Sequence, residues 1–111
     1  MKTIKLTANK EVVNEQETIF STYHLLKMVI NNPSEKGFDV DEMMQRLKIM
    51  AVLDEHKDLF KELKEDNLNV EAEAKFEDAD FKKLQELYRN MKWAVISQTI
   101  VDLKKQLDET K

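Results

Sequence analysis

Asn14-Glu15-Gln16-Glu17-Thr18-Ile19-Phe20-Ser21-Thr22-Tyr23-His24-Leu25-Leu26-Lys27-Met28-Val29-Ile30 sets the balance of helix against strand in this chain. Asn14 with Glu17 three residues on has the form of a capping box, in which the two side chains satisfy each other's first-turn N–H groups. Apolar side chains then recur at Ile19, Tyr23, Leu26 and Ile30, and Phe20, Met28 and Val29 widen the stripe. That spacing is helical and predicts a helix over 14–31. Asn31-Asn32-Pro33-Ser34 ends it, because proline disfavours helical geometry at the residue before it. Gly37 completes the loop.

Upstream, residues 2–7 alternate, with Ile4 and Leu6 on one side and Thr3, Lys5 and Thr7 on the other, which reads as a short strand. A polar turn follows at 8–11, and Val12-Val13 fit both a strand extension and a lead into the next helix. Downstream, Asp39 with Glu42 forms a second capping box, and Phe38 is placed to pack on Met43 as a hydrophobic staple. This predicts a helix over 39–53 through Met43, Met44, Leu47, Met50 and Ala51. The stripe loses phase near Leu53 and resumes at Leu59, Phe60 and Leu63, giving a helix over 56–65 or one long helix with a kink.

Val70, Ala72, Ala74 and Phe76 alternate strictly with Glu71, Glu73 and Lys75, a strand with one buried face. A lone strand leaves its ladder unsatisfied, and residues 2–7 are its natural partner. Asp78 caps the last helical region. Phe81, Leu84, Tyr88 and Met91 form one stripe there; Trp93, Ile96, Ile100, Leu103 and Leu107 form another, displaced in phase. Helices are predicted over 79–91 and 93–108. The expected fold is thus one α-dominated α+β domain over 1–111, with about five amphipathic helices and a two-stranded sheet pairing 2–7 with 70–76. Its expected core is Ile4, Leu6, Ile19, Tyr23, Leu26, Ile30, Leu47, Met50, Phe60, Leu63, Phe76, Phe81, Leu84, Tyr88, Trp93, Ile96, Ile100 and Leu103.

Composition narrows the chemistry. The 111 residues include one glycine, one proline, two histidines and no cysteine, and 36% of them are charged. Sites that cradle phosphates or nucleotides need glycine where backbone approaches the ligand, and only Gly37 is on offer. Thiol chemistry is excluded. Neither His24 nor His56 has a partner at metal-ligand spacing. Asn67-Leu68-Asn69-Val70-Glu71-Ala72-Glu73 can be laid on a calcium loop, but Ala72 stands where that loop needs glycine and Asp78 where it needs a bidentate glutamate. Asp39, Asp41 and Glu42 are explained by the preference of a helix first turn for acids. Thr18, Ser21, Thr22 and Ser34, the hydroxyls near histidine in sequence, show no base–orienter arrangement. The reading is of a protein that is not an enzyme and carries no metal or cofactor.

The net charge of −4 sits in the middle of the chain, where residues 37–76 carry eleven acidic and six basic side chains. No segment concentrates the positive charge that nucleic acid or anionic lipid attracts. The alternative reading is a helix-turn-helix or winged-helix regulator, with 56–65 as recognition helix and 69–76 as wing. It meets three acids in the first and Glu71 and Glu73 in the second. No apolar run approaches a membrane span, and no signal-peptide h-region follows Met1, so the expected location is the cytoplasm.

What remains is apolar surface. Met43 and Met44 are adjacent, so about 100° separates them around a helix and both cannot face one core. The two displaced stripes of 79–108 cover more circumference than one core requires. Met43, Met44, Trp93, Ile96, Ile100 and Leu107 are the candidate interface, for a protein partner or a homodimer. Short acidic chains without cysteine, built from a strand and amphipathic helices, resemble in style the small accessory proteins of phages and mobile elements. No residue role follows from that likeness.

Overall fold

Asn14 and Glu15 both take left-handed backbone, with φ of 54° and 64°. A two-residue turn of that hand joins antiparallel strands with their natural twist. It turns β1 (Lys2–Val13) into β2 (Gln16–Ser21), with Val13 opposite Gln16 and Ala8 opposite Ser21. The computed structural model describes residues 1–33 and 36–110; Ser34, read above as part of the helix stop, lies outside the described residues. The first helix, α1 (Thr22–Ile30), starts eight residues later than the capping-box reading has it. Its cap is Ser21, whose hydroxyl accepts from the His24 N–H at 3.3 Å.

This corrects the fold class. The sheet has three antiparallel strands in the order β2-β1-β3, not two, with β3 spanning Glu71–Phe76. The chain is about 49% helical and 22% strand, so it is a mixed α+β structure rather than an α-dominated one. The pairing of β1 with β3 follows the expected partners, Lys2 opposite Phe76 through Thr7 opposite Glu71. What the two-strand reading misses is that β1 runs on to Val13 and pairs a second time.

β1 therefore uses its two edges in succession. Its first half meets β3 on one side, and its second half meets β2 on the other. Where β2 leaves the sheet, the edge of β1 needs new partners, because an unpaired N–H buried away from water is costly. Thr22 supplies one: its hydroxyl accepts from the Thr7 N–H at 2.8 Å and donates to the Thr7 carbonyl at 3.3 Å. Gln106 supplies another, its Oε1 accepting from the Lys5 N–H at 2.7 Å.

The remaining helices are α2 (Val40–Asp54), α3 (Lys57–Phe60), α4 (Asp78–Asn90) and α5 (Gln98–Glu109). α2 begins at the expected cap, with Asp39 Oδ1 accepting from the Glu42 N–H at 2.8 Å. The helix expected over 56–65 is a single turn. The helix expected from residue 93 begins at Gln98, because Ser97 caps it and residues 91–97 form an irregular connection. That connection is what reconciles the two displaced stripes.

Ile4, Leu6, Ala74 and Phe76 project from the sheet into a core shared with Leu26 and Val29 of α1, Ile49 and Leu53 of α2, Phe60, and the inner faces of α4 and α5. Two expected core members are outside it: Leu47 is 61% exposed and Ile96 97%. Met50, Leu63 and Trp93 pack against the core only partly buried, and Ile19 is half-buried in β2. The fully buried Ile49 replaces Leu47, so α2 is rotated by about half a turn from the expected phase.

Candidate interaction surface

With 100° per residue, Val40, Met43, Met44, Leu47 and Ala51 fall within about 60° of one line along α2. Ile49 and Leu53 lie about 180° from it, in the core. Val40 is 69% exposed, Met44 60% and Met43 45%. α2 is thus apolar on two opposite sides, one buried and one facing solvent. The inner side can be partly polar because tertiary partners satisfy it. Glu42 bonds Arg46 at 3.2 Å and Lys83 of α4 at 3.0 Å, and Lys83 is the largest cause holding its carboxyl below the usual range.

Arg46 joins three elements. Its Nη1 donates to the Ile30 carbonyl at the end of α1 at 2.6 Å, its Nη2 donates to Glu42, and its guanidinium lies 4.3 Å from the centre of the Phe38 ring. Phe38 therefore packs on Arg46 instead of serving only as a staple. This fixes one wall of an apolar groove of about 240 Å³ lined by Ile30, Phe38, Met43, Leu47 and Met50. The groove runs beside the exposed stripe and shares Met43 and Leu47 with it.

The six candidate interface residues do not form one surface. Met43 and Met44 lie on the outer face of α2. Ile100 and Leu107 are buried in the core, and the Ile100 carbonyl accepts from the Tyr88 hydroxyl at 2.6 Å. Trp93 is half-buried with its ring 5.7 Å from that of Tyr88. Ile96 is exposed in the connection before α5, apart from the α2 stripe. Val40 and Leu47 belong to the surface and were missed. The spacing 40, 44, 47, 51 was visible as helical periodicity, but nothing in it tells which side of the helix meets the core.

Several of the other residues weighed for chemistry are bonded locally. Asn67 closes its loop on the Lys64 N–H and the Glu62 carbonyl, and Glu71 pairs with Lys5 at 3.2 Å, so the calcium-like oxygens do not converge. Among the described residues no three His, Asp or Glu side chains are grouped as metal ligands. His24 borders a shallow cleft of about 410 Å³ between β2, α1 and α3, where burial, then the Lys27 charge, lowers its pKa. Of the segments the alternative reading names, 57–60 make a single helical turn and 71–76 pair along β1.

Among the described residues, one carboxylate is held by four donors. Glu11 of β1 accepts from the Thr99 hydroxyl at 2.6 Å, the Ser97 hydroxyl at 2.8 Å, and the N–H groups of Gln98 and Thr99 at 2.7 and 3.2 Å. These donors, the Thr99 hydroxyl foremost, bring its pKa down to about 2. Four donors at a helix N-terminus favour the anion. The bonding is internal: a strand carboxylate fastens α5 to β1. The folded pKa lies below the unfolded one, so this stabilisation is complete above pH 4.5 and is lost as pH falls towards 2. Glu11→Gln is expected to lower the melting temperature at pH 6, and the difference from wild type should shrink steadily between pH 5 and 2. A constant difference across that range would refute the role of the charge.

Compared with family models, curated proteins and solved structures, the chain matches none. Among the described residues no helix is long and apolar enough to cross a membrane.

Proposed function

We propose that this chain is a non-enzymatic protein-interaction module that acts through the outer face of α2. The observation that supports this is the second apolar side of that helix, which the other described residues leave largely exposed. A stripe of four large apolar side chains with an adjoining groove is more contiguous apolar surface than solubility favours, and such patches mark interaction sites. Methionines at 43, 44 and 50 suit the role, since their unbranched side chains adapt to a partner. The same proposal holds the module in the cytoplasm as an accessory to a larger assembly, in keeping with its highly charged composition.

A photo-cross-linking residue at position 47, with one at the exposed Lys82 of α4 as control, tests the reading in cells of the native host. A covalent adduct at 47 and none at 82 is the expected result. No adduct at 47, or equal adducts at both positions, would reject it.

A further inference from the structure

We infer that the occupant of the α2 outer face is a second copy of this chain, packed with its α2 antiparallel to the first about a two-fold axis. The inference rests on the reading just proposed and names its partner. The stripe falls into a heptad in which Val40 and Leu47 are one seam position and Met44 and Ala51 the other. Antiparallel packing then sets Val40 against Ala51 of the second copy and Met44 against its Leu47, each contact occurring twice.

The charges flanking the stripe select this arrangement. Asp41 and Lys48 occupy the same flanking position one heptad apart, and Asp41 makes no ion pair among the described residues. In the antiparallel pair these positions face each other, so Asp41 of each copy meets Lys48 of the other. A surface whose acid and base exchange places under a two-fold rotation is self-complementary, which is what an isologous interface requires. A parallel pair instead brings Lys48 against Met43, a charge on an apolar neighbour. Lys48 already lies 3.3 Å from Glu77 and 3.4 Å from Asp80, yet its side chain remains 57% exposed, and an ammonium has three donors. On the other flank, Met43 of one copy lies beside Met50 of the other, at the mouth of the groove walled by Phe38.

Three turns of helix make a small interface, so association in the range of about 10 to 500 µM is expected. Sedimentation equilibrium of the full chain up to about 1 mM reads it, against a monomer of 13.1 kDa. Leu47→Glu should abolish the dimer. Asp41→Lys alone should weaken it about tenfold or more by facing Lys48 with a like charge, and the double variant Asp41→Lys/Lys48→Asp should restore it. Circular dichroism checks that each variant is folded. If Lys48→Asp disturbs its contacts with α4, Leu47→Glu and Asp41→Lys still decide. A monomer at every concentration overturns the inference, as does a dimer indifferent to Leu47→Glu. A dimer lost in Leu47→Glu but unchanged in Asp41→Lys overturns the antiparallel register. A monomer in sedimentation with a foreign adduct at position 47 removes the second copy and keeps the interaction face; a monomer with no adduct removes both.

Discussion

Phe60→Ala is expected to destabilise the fold by about 3–5 kcal/mol, the range for emptying a buried aromatic site. Phe60 is fully buried although it belongs to a helix of only four residues. Its ring stacks on that of Tyr23, 5.6 Å between centres and 5° from parallel. One turn of helix has almost no stability of its own, because nucleation is unfavourable. α3 therefore persists through the burial of this ring, and truncation removes both the aromatic pair and the anchor of the segment that leads to β3. Tyr23 in turn donates to Asp54 at 2.7 Å, and burial, then that carboxylate, pushes its pKa up to about 12. Chemical denaturation of the variant, followed by far-UV circular dichroism, checks the value. A loss below 1 kcal/mol would mean that the site collapses without cost and that α3 is not anchored there.

Arg46→Ala is the second large effect, expected at about 2–3 kcal/mol. A buried hydrogen bond to a charged group contributes more than a neutral one, and removing the donor leaves a buried carbonyl unpaired. Here the Ile30 carbonyl loses its partner, Glu42 loses one of two cations, and Phe38 loses the plane it rests on. Glu42 keeps Lys83, which is why the expected loss stays below that for stranding a fully buried charge. Arg46→Lys should recover little, because an ammonium cannot stack on Phe38 and fork to two acceptors at once. Full recovery by lysine in thermal unfolding would contradict the role of the planar group.

Much of the architecture was legible. The strict alternation of 70–76 gave β3 in spite of its alanines and glutamates, and the need for a ladder gave its partner in 2–7. Asp39 marked the start of α2 because cap, acid and position agreed. The hairpin was not legible. Its turn is Asn14-Glu15 rather than asparagine–glycine: Asn14 suits a positive φ, but Glu15 does not, so half of the usual signal is missing. Gln16-Glu17 then imitate a helix start, and Ile19 and Phe20 are in phase with Tyr23 by chance of spacing. The phase of α2 failed for a different reason. Glu42, Gln45 and Arg46 look like a solvent face in the sequence, and only their partners on α1 and α4 make that side an interior one. For the candidate surface this inverted the assignment of Leu47, which is 61% exposed beside Met43 and Met44.

The divided edges of β1 impose an order in time on a chain made from its N-terminus. The hairpin with β2 has all its residues once Ser21 has been joined. The first half of the same strand waits for 71–76, and the Lys5 N–H waits for Gln106. During synthesis the central strand thus carries an open edge while residues 22–70 are added, and such edges are what aggregation and chaperones act on. A nascent chain in which residues 2–21 have left the ribosome and 71–76 have not would hold the strands of the hairpin with half of its longest strand still seeking a neighbour.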